Sequence, residues 1–92
     1  MPWYRVVPSE QDAIATRDRV RDAFTLIWAL NGGRSDAGVF SKGNMIYLSP
    51  GAAEICGALL SEFRFVECRA PQREDVIPLA CSDLNSIPFA SA

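Results

Sequence analysis

The stretch Ser9–Gly33, SEQDAIATRDRVRDAFTLIWALNGG, constrains the fold more than any other part of the chain. Ser9 followed three residues later by Asp12 is a capping-box-like start, its hydroxyl able to accept an orphan backbone N–H. Glu10 and Asp12 put negative charge at the positive end of the helix dipole. After Asn31, Gly32 and Gly33 supply the left-handed residue that ends a helix. Between these signals Ala13, Val20, Phe24, Ile27 and Asn31 recur at helical spacing, and Trp28 and Leu30 widen the stripe. The pattern predicts a helix from about Glu10 to Leu30. Its first half is charged and needs only a narrow apolar seam. Its second half, AFTLIWAL, is apolar on nearly every side, and such a helix is expected to be buried all round. Leu26 and Ala29 should then be covered by a second helix, the C-terminal segment or another subunit.

The flanking segments read as short strands and one further helix. Pro2–Val7 is rich in aromatic and β-branched residues and stops at Pro8, as a strand would. Val39–Ser41 and Asn44–Ser49 flank a Lys42-Gly43 or Gly43-Asn44 turn signal, which predicts a hairpin. Ser49-Pro50 is a helix start, serine as cap and proline where no N–H is missed. Ala52, Ile55, Cys56, Leu59, Leu60 and Phe63 then give one stripe over Pro50–Glu62. Arg64–Ala70 alternates as a strand. Val76–Cys81 reads as an optional fifth strand, kept at an edge by Pro78. Residues 83–92 have no period and read as an extended or frayed tail. The order β-α-β-β-α-β predicts an α+β, ferredoxin-like sandwich, an antiparallel sheet with two helices on one face.

Composition excludes several functions. The 92 residues suffice for a single domain over 1–92, burying roughly 60–65% of the unfolded surface. A net charge of −2 argues against nucleic acid as the main partner. No apolar run is long enough to span a bilayer. The start MPWYRVVPSEQD has neither a basic nor an apolar leader region, so a cytoplasmic protein with reduced thiols is expected. The chain has no histidine, which removes Ser-His-Asp and Cys-His nucleophile pairs and histidine-containing metal sites. Cys56, Cys68 and Cys81 form no C-x-x-C pair and read as small hydrophobes, so neither metal nor cofactor is expected.

Three further features were candidates for function. The run Arg17–Asp22 mixes signs and reads as a solvated face. Gly32-Gly33-Arg34-Ser35 follows a helix rather than preceding one, so it reads as a cap and turn, not a phosphate cradle. Pro2 is the one residue that suggests chemistry. Removal of Met1 would expose a secondary amine able to act as a base. With the strand and helix that follow, Pro2 resembles the start of the tautomerase superfamily, which implies a cofactor-free enzyme with Pro2 catalytic. The chain departs from that family in placing a short hairpin where a long second strand belongs. By element order alone it is also similar to the dimeric α/β-barrel monooxygenases.

The leading expectation is a non-enzymatic, self-associating interaction protein, with a small molecule or a protein as further partner. It rests on strand alternation. With Tyr4, Val6, Ile46, Leu48, Val66 and Cys68 turned toward the helices, Trp3, Arg5, Val7, Met45, Tyr47, Phe65, Glu67 and Arg69 face the other way. The aromatic residues among them exceed the apolar patch a monomer tolerates. Trp3, Met45, Tyr47 and Phe65 are therefore expected to form a homodimer interface, the C-terminal tail being the alternative cover. An RNA-binding reading, with Tyr47 and Phe65 as exposed platforms, lacks the matching glycine and basic positions.

Overall fold

The computed structural model describes residues 1–91. Strands β1 (Trp3–Val6), β2 (Gly38–Lys42), β3 (Met45–Leu48), β4 (Val66–Cys68) and β5 (Ile77–Cys81) form one antiparallel sheet, ordered β4-β1-β3-β2-β5. Helices α1 (Ala13–Leu30), α2 (Pro50–Ile55) and α3 (Gly57–Glu62) pack on one face of it. Short 3-10 turns at Arg73–Asp75 and Leu84–Ser86 lead into and out of β5.

Helix α1 begins at Ala13 rather than Glu10. The Ser9 hydroxyl donates to the Asp12 carboxylate at 2.9 Å instead of capping a backbone N–H, and residues 10–12 form a turn. At the other end the Gly33 N–H reaches the Trp28 carbonyl at 2.9 Å and the Gly32 N–H reaches that of Ala29 at 3.2 Å. This Schellman closure needs a left-handed residue, and Gly32 has φ 80°. The β2–β3 hairpin turns on Gly43 and Asn44, with Lys42 opposite Met45.

Ser49 shows how a buried polar group is kept satisfied. Its Oγ accepts from the Ala52 and Gly38 N–H groups at 3.3 and 2.9 Å and donates to the Asp36 carbonyl at 3.0 Å. The cap therefore also joins α2 to the start of β2. The expected second helix is broken in two at Cys56, whose backbone leaves the helical region (φ −116°, ψ 39°). Gly57 follows, and glycine is a weak helix former, so the stripe is carried by two short helices rather than one. Cys56 itself is buried.

The sheet has an apolar core on each side. Val20, Phe24, Val39, Ile46, Leu48, Ala52, Cys56, Leu59 and Phe65 fill the helix side. Trp3, Phe40, Tyr47, Val76 and Ile87 fill the other, with Leu84 and Phe89 packed against them. In β1 and β3 the side chains face as alternation predicts: Tyr4, Val6, Ile46 and Leu48 toward the helices, Trp3, Met45 and Tyr47 away. In β4 they are reversed. Phe65 joins the helix-side core and Cys68 the other. The cause is the end of α3, where Arg64 takes φ 57°. The Phe65 N–H bonds the Leu60 carbonyl at 2.9 Å, a Schellman closure without glycine. That reversal returns Phe65 to the helices and shifts the phase of the strand by one residue.

The second half of α1 is not buried all round. Leu26 is 64% and Leu30 78% exposed, and Ala29 is exposed beside them. Only Val20 and Phe24 of α1 are buried, so one helix face suffices for the core and the apolar surplus stays in water.

Candidate functional site

The four residues expected to meet a second subunit are divided by the structure. Trp3 is 2% exposed, and its Nε1 donates to the Pro88 carbonyl at 3.1 Å. The Trp3 ring lies 5.5 Å from Phe89, 5.8 Å from Phe40 and 6.4 Å from Tyr47, distances of favourable aromatic packing. Met45 is half-buried, with its Sδ accepting from Arg5 at 3.6 Å. Tyr47 is buried in the same cluster. Phe65 lies on the opposite side of the sheet. The face expected to pack on a second copy is thus covered by Leu84, Ile87 and Phe89 of its own chain. Ala92, the last residue of that tail, lies outside the described residues. Neither Tyr47 nor Phe65 is an exposed platform for a base.

Pro2 is exposed at one end of an open groove of about 250 Å³ shared with Tyr4, Pro50 and Glu54. Among the described residues Glu54 is the only carboxylate of that groove, and it is held by Arg34, whose guanidinium also grips Asp36 in a fork. Both carboxylates keep the Arg34 charge firmly in place, so its pKa is raised. This ion-paired corner ties the loop after α1 to α2, with the Trp28 indole donating to the Arg34 carbonyl at 2.9 Å. Its visible work is structural.

The three cysteines are free thiols. Burial pushes the Cys56 thiol up to about 11. Burial also raises Cys68, with Glu67 adding to the effect and Arg5 opposing it. Burial and Asp83 raise Cys81. Raised thiols are poor nucleophiles at neutral pH. Among the described residues no group of three or more acidic or cysteine side chains is arranged to hold a metal ion. No helix among them is long and apolar enough to cross a membrane.

The sheet's two edges differ. At one edge, β5 carries Pro78, which has no N–H to offer, and pairs with β2 through an irregularity between Val39 and Phe40. Such features blunt an edge. At the other edge, β4 pairs with β1 alone, Val66 opposite Arg5, Glu67 opposite Tyr4 and Cys68 opposite Trp3. Val66 is 57% exposed, and Glu67 and Arg69 are exposed with it. The strand itself is Val66–Cys68, shorter than the Arg64–Ala70 expected, because Arg64 still closes α3 in a left-handed conformation. Arg69 and Ala70 continue the tract beyond the β1 pairing and hold no proline before Pro71. Open grooves of about 470 and 370 Å³ flank the tract, meeting at Arg5. Strand alternation predicts β4 but points to the broad aromatic face as the interface. The open edge becomes visible only when the strand order is known. Compared with known proteins, the chain matches no family model, no curated protein and no solved structure.

Proposed function

We propose that this chain is a single-domain, non-enzymatic interaction protein that associates with itself through the β4 edge. The observation that carries the reading is the asymmetry of the sheet. One edge is blunted by Pro78 and an irregular pairing, the far face is covered by the chain's own tail, and β4, paired regularly with β1 on one side, leaves its other side open. An open strand edge is a template for another strand, and two-fold dimers are the commonest closed assembly. The order β4-β1-β3-β2, with β5 added outside β2 and the helices on one face, supports a ferredoxin-like reading of the fold. That fold hosts many functions, so it adds little to the functional argument. Three free thiols support a cytoplasmic setting. Light scattering behind a sizing column tests the proposal: a species of twice the 10.1 kDa chain mass supports it, and a monomer at every concentration sampled rejects it.

A further inference from the structure

We infer that two copies pair antiparallel at β4 about a two-fold axis through Cys68, setting Glu67 of each copy opposite Arg69 of the other. This rests on the self-association reading above and goes beyond it by naming the register. Directly opposite residues in a sheet share a face, and residues of one face recur every second position along a strand. Two identical strands related by a two-fold axis can therefore be centred on a residue but not between two. Five centres are available in the tract once pairing extends β4 from Cys68 through Arg69 and Ala70. An Ala70 centre runs the pairing into Pro71, which has no N–H to donate. A Val66 centre runs the pairing into Arg64, whose left-handed backbone has already ended the strand. A Glu67 centre places two carboxylates directly opposite each other, and an Arg69 centre places two guanidinium groups so. Like charges in that position repel.

The Cys68 centre alone turns both charges to advantage. Glu67 meets the partner's Arg69, and symmetry repeats the contact. Val66, exposed in the single chain, meets the partner's Ala70, so apolar faces apolar on the side of the sheet where Cys68 packs. Neither Glu67 nor Arg69 has a salt-bridge partner among the described residues, so no ion pair is sacrificed on association. Two five-stranded sheets become one continuous sheet, with the strand hydrogen bonds supplying affinity and the charge order supplying register.

The test is a charge-exchange series measured by light scattering, with circular dichroism to check that each variant is folded. Both residues are exposed, so the fold is expected to survive each change. Wild type is expected to be dimeric at roughly 100 μM, where a micromolar interface is filled. Glu67→Lys and Arg69→Glu each convert two attractive pairs to repulsive ones and should weaken the dimer roughly ten- to a hundredfold. The double variant E67K/R69E restores opposite charges and should return to within about threefold of wild type. A dimer that ignores both single changes uses another surface and overturns the inference. A dimer lost in the singles and not regained in the double keeps self-association but refutes the register. A monomeric wild type overturns both readings.

Discussion

Phe89→Ala tests whether the tail is an integral part of the sheet's second core. The Phe89 ring packs edge-on against Phe40 at 5.1 Å and tilted against Trp3 at 5.5 Å. Each aromatic pair is worth about 0.5–1.5 kcal/mol beyond the area it buries. Truncating a fully buried phenylalanine costs about 3–5 kcal/mol, and Phe89 is only half-buried, so about 2–3 kcal/mol is the reasoned cost. Stability of a chain this size totals roughly 5–14 kcal/mol, so the loss is a large fraction of it. At about 4–8 °C per kcal/mol, Tm should fall by roughly 10–20 °C. Thermal melts followed by circular dichroism read the shift, and tryptophan emission should move to the red as water reaches Trp3. A Phe89→Ala protein melting within about 3 °C of wild type would refute the reasoning, because a detached tail predicts that result.

The remaining predictions concern local features. Arg64→Gly removes the cost of a left-handed non-glycine residue at the end of α3 and is expected to stabilise by about 0.5–1 kcal/mol in urea titration; a loss of stability would show that the arginine side chain has a role of its own. Leu30→Lys on the exposed end of α1 should change stability by less than about 0.5 kcal/mol and leave the mass in solution unaltered. A large effect of either kind would mean that this face is covered. The Cys56 thiol titrates near 11 in the fold against 9.0 in its ordinary state, so the unfolded chain releases its proton first as pH rises. The contribution of Cys56 is whole below about pH 9 and is lost through the 9–11 window, on the order of 2 kcal/mol in all. Stability measured by urea denaturation across that window should fall more steeply for wild type than for Cys56→Ala.

The parts of the fold legible in the sequence are those governed by local chemistry. Gly32 and Gly33 end α1 because a Schellman closure needs a left-handed residue, and Ser49-Pro50 starts α2 because a cap and a missing N–H suit that position. Alternation placed Trp3 and Tyr47 on the far side of the sheet for the same kind of reason. The illegible parts depend on competition between local and distant contacts. Arg64 adopts a conformation usually left to glycine, and that one residue reverses the phase of β4 and moves Phe65 to the other core. Leu26 and Leu30 read as buried because a sequence reports apolarity, whereas burial depends on how many neighbours a small fold can supply. Leu84, Ile87 and Phe89 follow no period, since an irregular segment packs by shape rather than by repeat. Pro78 was legible as an edge signal, but which strand held the opposite, open edge required the strand order.

Backbone hydrogen exchange at the two sheet edges, measured as a function of protein concentration, tests the central claim most directly. Amides donated across a new strand pair are protected in proportion to the paired fraction, and exchange reads that protection residue by residue. The account predicts that protection within Val66–Ala70 rises with concentration while the edge at Ile77–Cys81 stays unchanged. Protection at β4 that is independent of concentration, or a rise confined to β5 or α1, would contradict it.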